Sequence, residues 1–178
     1  MTKADVVYTK YEGLEERLAH SYFVLHERFI SDPAVAGFWV QAALDEMQHS
    51  SLLRFCHEHS LITDEDADVE ADLEVAERIE DLLDTVKTIV SDPDVTVDDA
   101  FCAALLIESS EMDDMFEKLT VPLAKGHWLL YQAIRASLRG HYDKFADAAE
   151  KFCRDRSYVE AFRNLGRAER LRLARSAG

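Results

Sequence analysis

Glu46 and His49 lie three residues apart, and so do Glu108 and Glu111. Residues at i and i+3 share one face of a helix, so each pair can present two donor atoms to one point. Carboxylate oxygens combined with imidazole nitrogens suit iron or manganese. Placing the neighbouring residues around a helix at about 100° each shows which side every candidate occupies. Glu46 and His49 fall in the middle of an apolar face made by Val35, Phe38, Trp39, Ala42, Leu53 and Cys56. Glu108 is central, and Glu111 one turn on at the edge, among Val97, Phe101, Ala104, Leu105, Met112, Met115 and Leu119. His141 is central among Leu130, Ile134, Leu138, Phe145, Ala148 and Phe152. Glu15 aligns with Tyr11, Leu14, Leu18, Tyr22, Leu25 and Phe29, whereas Glu16 points away from that stripe.

Each motif alone has a plainer reading. Glu46-x-x-His49 is also a common surface pair, His141 also suits a satisfied core histidine, and Glu108 with Glu111 also suits a solvated face. The conjunction carries the metal reading, because an ionised carboxylate on a buried face is costly unless paired or metal-bound. Four carboxylates and two imidazoles on four apolar faces call for a common explanation. If no metal were bound, four clustered carboxylates would repel one another, and some are expected to titrate high.

The elements that must position these residues are all helical. Two Ser-Asp-Pro stops, at residues 31–33 and 91–93, divide the chain, since proline disfavours helix in the residue before it. The expected helices cover residues 4–30, 34–59, 71–90, 97–119, 127–153 and 157–175, with a polar loop at 60–70 and a turn at Pro122–Gly126. Short turns make two antiparallel hairpins, and the long connection between them carries the helix near 71–90. Glu15 precedes the first turn by about as many residues as His49 follows it, and Glu108 and His141 flank the second turn similarly, so the candidates converge at one level. The expected fold is all-α: a four-helix bundle over residues 1–153 with one crossover, the ferritin-like topology, plus a C-terminal helix over 154–178.

Charge and cysteine usage narrow the classes. The 178-residue chain carries a formal net charge of −15, which argues against nucleic acid and anionic membranes as partners. The distribution is uneven: residues 154–178 hold seven arginines against three acidic residues, net +4, leaving −19 on residues 1–153. Cys56, Cys102 and Cys153 form neither a disulfide framework nor a C-x-x-C knuckle, which points to a reducing, cytoplasmic setting. No signal core or membrane-spanning apolar run is expected. His20 and Glu27 are expected to face solvent, and His26, His57, His59 and His127 receive no role.

Over residues 8–153 the pattern resembles the rubrerythrin branch of the ferritin-like superfamily. Glu15 followed by Tyr22, then Asp32-Pro33, then Glu46-Met47-Gln48-His49, is similar to that family's first hairpin. Glu108-Ser109-Ser110-Glu111 resembles its E-x-x-E, and His141 takes the place of its later histidine. The resemblance implies a metal set of Glu15, Glu46, His49, Glu108, Glu111 and His141. It implies iron as cofactor, two ions or one, with manganese or zinc as alternatives. It also implies action on peroxide or oxygen, a separate electron-donor protein, and a homodimer or higher oligomer. Two features depart from the family. Leu138 stands where its Glu-x-x-His motif has a bridging glutamate, and no paired C-x-x-C supplies a rubredoxin domain. Three functions therefore remain open: a di-iron oxidoreductase, a metal-handling protein without turnover, and a metal-free scaffold acting through protein contacts.

Overall fold

The computed structural model describes residues 2–59, 68–110 and 112–175. Its elements are α1 (Lys3–Arg28), α2 (Pro33–Glu58), α3 (Val69–Ser91), α4 (Val97–Glu108), α5 (Met112–Thr120), a 3-10 turn (Val121–Lys125), α6 (Trp128–Phe152) and α7 (Ser157–Arg175). No strand occurs among the described residues. The expected loop at 60–70 lies mostly outside the described residues, and α3 begins at Val69, inside that range.

The helix starts follow local chemistry. Thr2 and Asp5 form a reciprocal capping box on α1, Asp32 caps α2 with Pro33 in its first turn, and Thr96 with Asp99 caps α4 in the same way as α1. Each cap satisfies backbone N–H groups that the first turn leaves without a helical partner.

Cross-helix contacts fix the directions. Along α1 and α2, Asp5 meets His57, Glu12 meets Arg54, and His26 meets the Ala36 carbonyl, so the two helices run antiparallel. Glu108 meets His141 and Asp98 accepts from the Arg154 N–H, so α4 and α6 also run antiparallel. Lys10 and Arg17 reach Glu80, and Arg28 reaches the Ser91 carbonyl, so α3 runs parallel to α1 along its outside. α7 folds back along α6, with Arg163 on Glu150 and Arg170 on Asp143. Phe162 of α7 is fully buried and stacks on Phe145, so the apolar core of the bundle continues into the basic C-terminal helix.

One expected helix is interrupted. Instead of a continuous 97–119 helix, α4 ends at Glu108 and α5 starts at Met112. Ser109 and Ser110 account for the break, because short hydroxyl side chains compete for the backbone groups that a helix uses. Ser109 Oγ donates to the Leu106 carbonyl, and Ser110 Oγ accepts from the Met112 N–H. The Glu108 carbonyl, at the last residue of α4, accepts from the Tyr142 hydroxyl of α6 at 3.2 Å. The interruption is thus stitched to α6 one residue from His141.

Candidate metal centre

Four helices of the bundle each contribute to one buried cluster. α1 supplies Glu15, α2 supplies Glu46 and His49, α4 supplies Glu108 and α6 supplies His141, all between 3% and 6% exposed. The antiparallel pairings bring them to the same height. Each sits on the apolar stripe of its helix, so folding that buries the stripe carries the polar residue inward with it.

The cluster consists of two three-membered groups that share a residue. Glu15, Glu46 and His49 offer ligand atoms lying within 4.8 Å of one another, and so do Glu46, Glu108 and His141. His49 Nδ1 is 2.8 Å from Glu46 Oε2 and 3.9 Å from Glu15 Oε2. His141 Nε2 is 2.8 Å from Glu108 Oε2 and 4.0 Å from Glu46 Oε1. In both groups one imidazole nitrogen therefore faces two carboxylates, one close and one farther. The two histidine rings are 6.1 Å apart.

Glu46 Oε1 is buried and accepts no hydrogen bond. A buried carboxylate oxygen without a donor is costly, and a divalent cation is a partner that would satisfy it. Three carboxylates and two imidazoles at this spacing form two oxygen-rich donor sets that could hold metal ions, with Glu46 common to both.

For Glu46 the electrostatics of the cluster run opposite to the raised titration expected of some of its carboxylates. Burial alone would push the Glu46 carboxyl up, yet the charge of His49 and its hydrogen bond, the charge of His141, and a hydrogen-bonding contact with Glu15 outweigh it and hold Glu46 below its ordinary 4.5. Repulsion among clustered carboxylates does not set its titration, because the imidazoles stand among them. The stability Glu46 contributes is accordingly present above its ordinary value and lost as pH falls through the lower folded one.

Further contacts fix the ligands in place. The Tyr22 hydroxyl, fully buried, donates to Glu108 Oε1 at 2.6 Å, leaving Oε2 to His141. Tyr22 packs against Trp39 and Phe145, which prevents its ring from turning away. Phe116 lies 4.4 Å from the His49 ring and Phe145 5.2 Å from the His141 ring, closing the cluster with apolar walls. The sequence had placed Tyr22 on the Glu15 stripe without giving it a contact. Its position two turns after Glu15, on the same face, is the signal that could have assigned one.

Five of the six expected ligands are therefore together. The sixth, Glu111, lies outside the described residues. Glu16 is exposed and bonded to Arg54 and Ser50, consistent with its position off the stripe. His20 and Glu27 are exposed as expected. Leu138 is buried at 2% exposure, in the core three residues before His141. Cys56, Cys102 and Cys153 are free thiols, and no described helix is long and apolar enough to cross a membrane. Comparison with protein-family models, curated proteins and solved structures finds no match to this chain.

Proposed function

We propose that the protein is a di-metal carboxylate protein of the ferritin-like type, similar to rubrerythrins, and an oxidoreductase that reduces peroxide or oxygen. The observation that carries this reading is Glu46, a buried carboxylate shared by two Glu/His groups and left with one oxygen unpaired. When bound, iron would supply Lewis acidity and redox equivalents. The chain's own residues do the rest. Glu46 would be the ligand common to both ions, His49 and His141 would each offer one a neutral nitrogen, and Tyr22 keeps Glu108 turned toward His141. Phe116 and Phe145 restrict water around them. Reduction of hydrogen peroxide to two waters takes two electrons and two protons, and the electrons come from a separate donor protein. The three free thiols agree with a reducing compartment such as the cytoplasm.

A second reading, metal handling without turnover, draws support from Leu138, which leaves the α6 side of the centre without a second shared carboxylate. One experiment separates the two. Protein loaded anaerobically with ferrous iron is mixed with peroxide under stopped flow, and its metal content is measured beside it. The oxidoreductase reading predicts rapid oxidation, with re-reduction by an added donor giving repeated turnover. Bound iron that oxidises once, or not at all, would favour metal handling. No bound metal would remove both readings.

A further inference from the structure

A second pair of histidines meets at one end of the bundle, and neither belongs to the groups that share Glu46. His59 is the C-cap of α2 and His127 the N-cap of α6, so the end of one helix meets the start of the other. Both rings pack against Phe55 of α2. His59 stacks on it at 4.1 Å, and His127 stands nearly perpendicular to it at 5.4 Å. The two imidazoles are 6.3 Å apart, with their planes at 78°. Both histidines are exposed, while Phe55 between them is half-buried.

Hydrogen bonding fixes which nitrogen of His59 is available. Its Nδ1 lies 2.9 Å from the Phe55 carbonyl oxygen. A carbonyl oxygen only accepts, so Nδ1 carries the proton, and in the neutral ring Nε2 keeps its lone pair. A ring N–H given to a backbone carbonyl is also the arrangement that orients metal-binding histidines. His127 occupies a position where a side chain commonly accepts from the first-turn N–H groups, yet its side chain makes no such bond. His59 Nε2 and the His127 ring are thus left uncommitted by the two helix ends that carry them.

We infer that His59 and His127 together form a separate surface site for a nitrogen-preferring divalent transition metal, of the nickel or copper(II) class. Imidazole suits these ions, which favour tetragonal coordination. Imidazoles on opposite sides of such an ion hold their ring centres about 6.4 Å apart, given about 2.1 Å from metal to nitrogen and about 1.1 Å from nitrogen to ring centre. The observed 6.3 Å matches that span. Water fills the remaining positions, because both rings are exposed. The net charge of −15 favours approach of a cation to any part of the surface. This site stands independently of the buried centre: it offers two nitrogens and no carboxylate, where the buried cluster offers three carboxylates with its two imidazoles.

Tag-free, full-length protein carrying 15N-labelled histidine is titrated with Ni(II), and the ring signals are followed by NMR. Those of His59 and His127 should be lost together below one equivalent, ahead of those of His20, His26 and His57. His59→Gln and His127→Gln should each weaken Ni(II) binding at this end by about 100-fold, since the second ligand no longer adds to the first. At the same Ni(II) concentration the surviving histidine's signal should then persist. The double variant should bind no more weakly than either single one. If a variant does not fold, the wild-type titration decides by whether the two signals vanish together. Signals lost at separate Ni(II) concentrations, with each single variant leaving the other histidine's response unchanged, would mean two unrelated surface ligands and overturn the inference. Uptake confined to His49 and His141 would overturn it and leave the buried centre standing. Uptake at His59 and His127 with none at the buried histidines would support it and count against the di-metal reading. No response at any histidine would overturn it.

Discussion

His49 and His57 lie eight residues apart on α2, and both face carboxylates of α1, yet they form opposite kinds of site. At His57 every group is matched. Nδ1 is 3.2 Å from Glu12 Oε1, Nε2 is 3.1 Å from Asp5 Oδ1, the ring stacks on Tyr8, and Arg54 reaches the other oxygen of Glu12. His57 keeps 28% of its side chain exposed. At His49, Nδ1 faces two carboxylates, the side chain is 6% exposed, and neighbouring Glu46 has an oxygen without a donor. The same residue types thus make a closed clamp at one end of the bundle and an acceptor-rich cluster at its middle. The distinction lies in the balance of donors and acceptors and in burial, not in composition. An excess of buried acceptors is what a cation can satisfy.

The largest expected effect comes from the shared carboxylate. Glu46→Gln should weaken binding of both cations by roughly 100-fold or more, since outer-shell partners alone typically change affinity by 10–100-fold. His49→Ala and His141→Ala should each remove one cation only, so titration calorimetry with Mn(II) should give half the wild-type stoichiometry. His57→Gln should leave the stoichiometry and affinity unchanged. Loss of binding in His57→Gln would erase the contrast between the two sites.

A smaller effect is expected at Tyr22. Tyr22→Phe removes the hydroxyl that orients Glu108 and should weaken the half-site containing Glu108 by about tenfold. The half-site containing His49 should be unaffected. Combining Tyr22→Phe with His49→Ala isolates the affected half, and calorimetry on that pair gives the effect directly. Equal weakening of both halves would mean that Tyr22 supports the bundle rather than one ligand.

The smallest effect belongs to the clamp. His57→Gln should lower the melting temperature by roughly 2 °C, as exposed ion pairs contribute little. Asp5 is held below its ordinary 3.8 first by the Thr2 backbone N–H and then by the His57 hydrogen bond. A depressed carboxyl stabilises above its ordinary value and loses that contribution as pH falls through its folded value. The part of the His57→Gln difference that runs through Asp5 should therefore shrink as pH falls below 3.8 toward the lower folded value, which thermal melts across pH 3 to 7 would reveal.

Much of this arrangement was legible in the sequence because buried stripes and stop signals are local. The Ser-Asp-Pro stops at residues 31–33 and 91–93 divided the chain, and the stripes carrying Glu15, Glu46, His49, Glu108 and His141 marked which faces turn inward. The preference for Glu15 over Glu16 followed from helix phase alone, and the structure places one inside and the other on Arg54. Less was legible where the outcome depends on tertiary partners. At the break after Glu108, the carbonyl that a continuous helix would have used accepts instead from the Tyr142 hydroxyl, and that donor is 34 residues away. The lowered titration of Glu46 likewise depends on two histidines from different helices. The His57 clamp was missed because its stabilising partners, Asp5 and Glu12, sit on a solvated edge that the apolar pattern does not describe.

The central claim is that Glu46 stands between two cations. Crystals of the protein grown with Mn(II), with anomalous data collected near the manganese edge, test it most directly. The account predicts two anomalous peaks about 3.5–4 Å apart, as in other two-metal sites, one beside His49 and one beside His141 with Glu46 between them. Glu46→Gln should lose both. Crystals that show no peak within reach of Glu46, or peaks only on the acidic surface, would contradict it.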